Sequence, residues 1–256
     1  MRAWVSLPGN GNDTFLLWLI VAIILVDGFV TWVISAFKKK KRKKMKGILF
    51  DMDGVLVDSE PVIIEAAIEA LKAWGVNARA EDFKPFTGMG EERFIGGVSE
   101  KYGVPFEPAM MSKAYDVYDA IGSAKVRVFD GVQNAVQALK RRGYKTAVCS
   151  SSHRRKVLIN LRAIGLNAED FDAVITGSEV VNKKPDPEIF LKGLQGIGVS
   201  AQNTTVVEDA LSGIAAAKAA GCRCFAVTTS FPADKLRAAG ADAVVGTVAE
   251  ILDLLK

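Results

Sequence analysis

Short apolar runs alternate with helical patterns along residues 46–256. The runs are rich in apolar side chains and predict buried strands at Lys46–Asp51, Lys145–Ser150, Ala173–Thr176, Thr204–Glu208 and Arg223–Thr228. Helical periodicity, ended in several cases by a glycine, predicts helices at Val132–Arg142, Arg154–Ile164, Pro187–Ile197 and Leu211–Ala220. This alternation of strand and helix predicts an α/β fold with a Rossmann-like parallel sheet.

Residues 61–125 interrupt the alternation. Their pattern predicts helices at Pro61–Trp74, Glu91–Tyr102 and Glu107–Ile121, with glycine-rich joints and no strand. We therefore expect an inserted α-helical cap domain at 61–125 and a core domain made of 46–60 and 126–256.

An apolar stretch precedes the core. Residues 15–37 carry a single charge, Asp27, and as a helix they would span ~34 Å against a hydrocarbon core of ~30 Å. The pattern predicts an N-terminal tail at 1–14, a transmembrane helix at 15–37 and a basic juxtamembrane linker at 38–45. Because the basic run follows the apolar stretch, the rest of the chain is expected in the cytoplasm, anchored to the membrane. The alternative is translation from Met45, which would give a soluble cytoplasmic protein.

The charge of the chain is unevenly distributed. The formal net charge is +4, but residues 1–46 hold nine of the 33 basic and two of the 29 acidic residues. Residues 47–256 are left with 24 basic and 27 acidic residues, a net charge of about −3. No basic face for nucleic acid is expected. Three cysteines are too few for a disulfide framework and indicate reduced, buried thiols.

Acidic side chains follow two of the predicted strands. Asp51 and Asp53 flank Met52, and the alternation of an extended chain sends both carboxylates to one side. Glu208 and Asp209 end a later strand. Because the carboxyl ends of parallel strands gather at one edge of a sheet, these oxygens would suit magnesium. Taken alone, either pair could be solvated acids or a helix cap.

Two further groups could bind phosphate. Ser150 and Ser151 follow a strand, where hydroxyl and backbone N–H groups can hold phosphate oxygens. Lys184 precedes a proline-stiffened helix start, so its ammonium group is held in place and can neutralise charge. An ordinary serine cap and a surface lysine are the alternatives.

These four motifs, in this order, resemble the haloacid dehalogenase-like hydrolase superfamily over residues 46–256. The branch that they resemble contains small-molecule phosphatases and β-phosphoglucomutase-like enzymes with an inserted helical cap. The resemblance implies that Asp51 is the nucleophile and Asp53 the general acid and base. It also implies phosphate binding by Ser150, Ser151 and Lys184, and a Mg²⁺ site made by Asp51, Asp53, Glu208 and Asp209.

The implied activity is magnesium-dependent hydrolysis of a small, sugar phosphate-like metabolite through an aspartyl-phosphate intermediate. The alternatives are a β-phosphoglucomutase-like mutase and a non-catalytic, membrane-tethered binding module on the same fold. Residues 61–125 contain no histidine, whereas β-phosphoglucomutases use one in the cap, so the hydrolase is favoured. Gly88, Glu91 and Arg93 occupy the place of the family's substrate-specificity loop. The sequence does not determine the oligomeric state.

Overall fold

The computed structural model describes residues 45–86 and 90–255. The predicted tail, the transmembrane helix at 15–37, nearly all of the basic linker and Gly88 of the specificity loop lie outside the described residues. Within the described ranges, every helix is too short or too polar to cross a bilayer.

The described residues form the strands β1 (Lys46–Phe50), β2 (Val57–Asp58), β3 (Arg127–Val128), β4 (Tyr144–Cys149), β5 (Ala173–Ile175), β6 (Thr204–Glu208), β7 (Arg223–Val227) and β8 (Ala243–Val245). All of these except β2 and β3 belong to a six-stranded parallel sheet at the centre of the fold, with strand order β5-β4-β1-β6-β7-β8. Phe50, the last residue of β1, is level with Val148 of β4 and Val207 of β6. The residues that follow β1, β4 and β6 therefore meet at one edge of the sheet.

Helices connect the strands, as the alternating pattern predicts. They are α1 (Glu60–Leu71), α2 (Glu91–Lys101), α3 (Pro108–Lys125), α4 (Val132–Arg141), α5 (Arg154–Ala163), α6 (Glu188–Ile197), α7 (Leu211–Ala219), α8 (Ala233–Ala238) and α9 (Ile251–Leu254). The α/β fold with a parallel sheet is confirmed. The sequence analysis did not predict β8 or the two-stranded ladder of β2 and β3.

The first three helices lie between β2 and β3. These two strands pair antiparallel, with Val57 opposite Val128 and Asp58 opposite Arg127. The two ends of the helical segment therefore lie next to each other. A 3₁₀ helix at Ala80–Phe86 separates α1 from α2. This arrangement agrees with a helical insertion, while the cap and core boundaries stay a prediction.

Apolar side chains cover both faces of the sheet. Along β1, Ile48 and Phe50 belong to one buried cluster and Leu49 to the other, because successive side chains of a strand point to opposite faces. Helices pack on both faces, which explains why the strands are continuous apolar runs. The cysteines are free and buried, as expected for reduced thiols.

Candidate active site

Asp51 continues the line of β1 beyond the last strand residue. Its backbone N–H donates to the carbonyl of Val207 at 2.9 Å, and Met52 turns into the core, where it is fully buried. Gly54 then turns the chain with φ +82°, and a Cβ atom at this position would lie 1.9 Å from Asp209 Oδ2. Glycine is required here both by its backbone conformation and by the close approach of the second acid pair.

Lys184 joins the two acid pairs. Its Nζ lies 2.5 Å from Asp51 Oδ1 and 2.6 Å from Glu208 Oε1, and all three side chains are almost fully buried. The ammonium group also donates to the carbonyl of Cys149 at 3.3 Å and lies 4.9 Å from the ring centre of Phe190. The lysine that the sequence analysis singled out is therefore a buried counter-ion of both carboxylates.

Glu208 is held by backbone donors at the start of α7. Its Oε2 accepts from the N–H groups of Asp209 and Ala210, each at 2.9 Å. Asp209 accepts from the hydroxyl of Ser230. The negative charge of Glu208 also lies at the N-terminus of a helix, where the partial positive charge of the peptide dipoles favours it.

Gly213 makes room for the Glu208 carboxylate, which gives a prediction. A Cβ atom at this position would lie 1.9 Å from Glu208 Cδ and Oε1. At an ordinary position inside a helix, replacing glycine with alanine would stabilise the folded protein by ~0.5–1 kcal/mol. We expect Gly213→Ala instead to lower both the melting temperature and the rate of the phosphate release that the resemblance implies, because Glu208 must leave its position beside Lys184. Thermal unfolding and phosphate release test this; a variant with wild-type values would show that Glu208 can relocate.

The pKa values of two carboxyl groups are raised. Burial, opposed in part by Lys184, raises the pKa of Asp51 to about 7. Burial, together with the charges of Glu208 and Asp51, raises the pKa of Asp209 to about 8. Lys184 has its own pKa raised, because Asp51 and Glu208 outweigh the effect of burial. The site therefore holds more buried negative charge than Lys184 offsets.

This surplus charge fits a bound divalent cation. Asp51 and Asp209 offer hard carboxylate oxygens, and the turn after β1 offers the carbonyl of Asp53, a donor set of the kind that Mg²⁺ prefers. Across residues 45–86 and 90–255, no three acidic, histidine or cysteine side chains converge as a ready ligand group. The predicted set does not require three, because Asp53 contributes its backbone and Glu208 is engaged by Lys184.

Asp53 has a different environment, which the sequence analysis did not predict. Its carboxylate accepts from the hydroxyls of Ser59 and Ser152, from Lys156 Nζ at 3.0 Å and from Asn160 Nδ2 at 3.4 Å. Burial alone would raise the pKa of Asp53, but Lys156 and the hydroxyl donors outweigh it and hold the pKa below its usual value.

All seven core residues of the predicted site line one cavity of ≈ 670 Å³. They are Asp51, Asp53, Ser150, Ser151, Lys184, Glu208 and Asp209. Ser150 is buried, and its hydroxyl accepts from the N–H of Ser152 at 3.2 Å, while Ser151 is exposed. Thr229 and Ser230, which follow β7, line the same cavity and were missed. Their position after a predicted strand could have indicated them.

The two predicted specificity residues that the structure describes, Glu91 and Arg93, contact other residues of the protein. Glu91 accepts from the Tyr115 hydroxyl and from the His153 N–H, so it joins α2 to the start of α5. Arg93 pairs with Glu100 at 2.5 Å and is half exposed. Neither residue lines the cavity, although Gly90 does. Their roles in substrate choice stay predictions.

Comparison with known proteins identifies related chains. The sequence profile of the haloacid dehalogenase-like hydrolase family matches residues 48–227. The "Phosphorylated carbohydrates phosphatase" of Thermotoga maritima is 35% identical over 228 residues, which are 83% of this chain and 99% of that protein. "Protein SUPPRESSOR OF QUENCHING 1, chloroplastic" of Arabidopsis thaliana is 40% identical over 201 residues, or 77% of this chain. The match spans only 19% of the length of that protein.

A solved structure extends the likeness to three dimensions. CbbY from Rhodobacter sphaeroides, in complex with phosphate, superposes with a TM-score of 0.69 at 28% identity, covering 81% of this chain and 96% of that one. The family profile covers every residue of the predicted site from Asp51 to Asp209. The chain therefore belongs to the haloacid dehalogenase-like hydrolase family, in the branch that contains phosphatases and β-phosphoglucomutase-like proteins.

Proposed function

We propose that this protein hydrolyses the phosphate monoester of a small, sugar phosphate-like metabolite through an aspartyl-phosphate intermediate on Asp51. The observation that carries the proposal is the buried contact of Lys184 with Asp51 and Glu208, at the wall of a cavity of ≈ 670 Å³. The Thermotoga relative named as a phosphatase of phosphorylated carbohydrates supports the substrate class.

Each residue has a role in the proposed reaction. Asp51 attacks phosphorus while the bond to the leaving alcohol breaks, and Asp53 gives a proton to the leaving oxygen. Asp53 then takes a proton from the water that hydrolyses the acyl phosphate, so its proton is restored over one turnover. Lys184 offsets the repulsion between the Asp51 carboxylate and phosphate, and Ser150 and Ser151 receive phosphate oxygens.

Mg²⁺ is the proposed cofactor. Asp51, Asp209 and the Asp53 carbonyl would hold it, with Glu208 acting on its waters. When bound, it would supply charge neutralisation at phosphate oxygens. The raised pKa values of Asp51 and Asp209 support this assignment, since a cation would favour the ionised form of both.

The test is a phosphate-release screen of the full-length protein over phosphorylated sugars, polyol phosphates and phosphoglycolate, with Mg²⁺ and with a chelator. Release that requires Mg²⁺ supports the proposal. Conversion of β-glucose 1-phosphate to glucose 6-phosphate without phosphate release would favour the mutase alternative. Tight binding of esters without turnover would favour a non-catalytic module.

We also expect the metal-free protein to lose stability as the pH rises from about 5 to about 8. The pKa values of Asp51 and Asp209 are raised from 3.8 to about 7 and about 8, so over this interval the folded chain holds protons that the unfolded chain has released. The stability from these protons is complete below 3.8 and is lost as the pH rises through 7 and 8.

Thermal unfolding with a chelator and with Mg²⁺ measures this dependence. Mg²⁺ should raise the melting temperature more at a pH of about 8 than at about 6, because protons compete for the same carboxylates. Asp209→Asn is the control and should flatten the metal-free profile. A metal-free melting temperature that rises over the interval contradicts the prediction.

The proposed partner is a small phosphorylated metabolite, and the charge of residues 47–256 gives no support to nucleic acid binding. The proposed localisation is membrane anchoring through residues 15–37 with the catalytic part in the cytoplasm, and the alternative is a soluble cytoplasmic protein starting at Met45.

A further inference from the structure

A buried lysine on α5 lies against the proposed acid and base. Lys156 Nζ is 3.0 Å from Asp53 Oδ1 and 3.2 Å from Ser152 Oγ, and its side chain is only 7% exposed. Lysine is almost never this buried without a partner. In the part of the chain that the structure describes, Asp53 is its one ion-pair partner. The proposed reaction does not yet give this lysine a role.

The donors around Asp53 hold both carboxylate oxygens. Ser59, Lys156 and Asn160 donate to Oδ1, and Ser152 donates to Oδ2 at 2.7 Å. Rotation of the carboxylate would break several of these bonds together. The network therefore restricts where Asp53 can deliver or accept a proton.

A second contact orients Asn160. Tyr118 of α3 is fully buried, and its hydroxyl donates to Asn160 Oδ1. Because the amide oxygen accepts this bond, the NH₂ group is the end of the side chain that faces Asp53. Helix α3 thus helps to position Asp53, because its Tyr118 orients Asn160 of α5.

We propose that Lys156, assisted by Asn160, is a positioning residue that holds Asp53 at the place from which it protonates the leaving oxygen. The inference rests on the proposed phosphatase function and adds a residue to it. In the step concerned, the bond between phosphorus and the leaving oxygen breaks, the bond from Asp51 to phosphorus forms, and a proton passes from Asp53 to the leaving oxygen. Proton transfer requires hydrogen-bond reach, so a displaced Asp53 slows it.

Leaving-group dependence tests the role. An alkyl phosphate needs its leaving oxygen protonated, whereas 4-nitrophenolate leaves without a proton. For Lys156→Met we expect kcat/KM for glucose 6-phosphate, or for a faster alkyl ester from the screen, to fall ~10²-fold or more. With 4-nitrophenyl phosphate the fall should be under ~10-fold. Lys156→Arg keeps a charged donor and should restore part of the alkyl ester activity.

Two further variants keep the test decisive if Lys156→Met folds poorly. Tyr118→Phe removes one hydroxyl and should shift the ratio of the two kcat/KM values in the same direction by a few fold. Arg162→Gln is the matched control, because Arg162 lies on the same helix and pairs with Asp119 at 3.2 Å. It should leave the ratio unchanged.

The outcomes separate the two proposals. Equal losses with both esters in folded Lys156→Met, or, if that variant does not fold, an unchanged ratio in Tyr118→Phe, overturn the positioning role while the phosphatase function stands. A wild-type protein that releases phosphate from neither ester overturns both.

Discussion

Asp51→Asn should abolish phosphate release, with a loss of ~10⁵-fold or more, the order expected when a covalent nucleophile is removed. The amide has nearly the shape of the carboxylate and lies in a buried position beside Lys184. It cannot attack phosphorus to form an acyl phosphate. Steady-state phosphate release with Mg²⁺ measures the loss, and thermal unfolding checks that the variant folds.

Asp58→Asn is the matched control for this variant. It makes the same chemical change at another acid of the cavity wall, one that pairs with Arg127 outside the cluster of Asp51 and Glu208. We expect its activity to stay within about ten-fold of wild type. Substantial turnover by folded Asp51→Asn would refute the aspartyl-phosphate route.

Lys184→Met should be the most destabilising of the site variants. It removes the cation that lies within 2.6 Å of both Asp51 and Glu208, leaving two buried carboxylates without their ion-pair partner. Breaking a buried pair in this way costs about 3–5 kcal/mol of the free energy of unfolding. Activity should fall ~10²–10³-fold as well, because a fixed charge at the phosphate is lost. Chemical denaturation and phosphate release measure the two effects.

Lys183→Met provides the comparison at the next position. Lys183 lines the same cavity, but it is exposed and bonds to the Gly177 carbonyl. Losing it should cost at most about 1 kcal/mol. If the Lys183 and Lys184 variants are equally stable, the buried bridge does not stabilise the fold.

The strands that border the site could be predicted closely from sequence, because they are buried on both faces and therefore continuously apolar. The predicted strand at Thr204–Glu208 has the observed bounds of β6. The two edge strands, β5 and β8, have only three residues each and are partly exposed, and of these β5 was predicted and β8 was missed. An apolar run of this length is hard to separate from a turn or the end of a helix by its pattern alone.

The acid pairs and the serines could be predicted because each stands at the end of an apolar run, and Lys184 because it precedes a proline-stiffened helix start. The donors around Asp53 could not be predicted so directly. Ser152, Lys156 and Asn160 recur every four residues, a spacing that places them on one helix face but equally describes a solvated face. Only the packing of α5 beside the turn after β1 shows that this face is buried.

Arg93 shows a contact that the sequence allowed but the sequence analysis did not consider. Its guanidinium group pairs with Glu100 and lies 5.2 Å from the centre of the Phe86 ring, while its role in substrate choice stays a prediction. Arg93 and Glu100 are seven residues apart, two helical turns, so the sequence already allowed this local pairing.

The sheet order also determines when a growing polypeptide can become active. β6 lies between β1 and β7, so the strand that carries the second acid pair is inserted beside the first long after β1 has left the ribosome. A nascent chain that already displays Asp51 and Asp53 thus lacks the proposed partners Glu208 and Asp209 until β6 has been synthesised and has paired with β1.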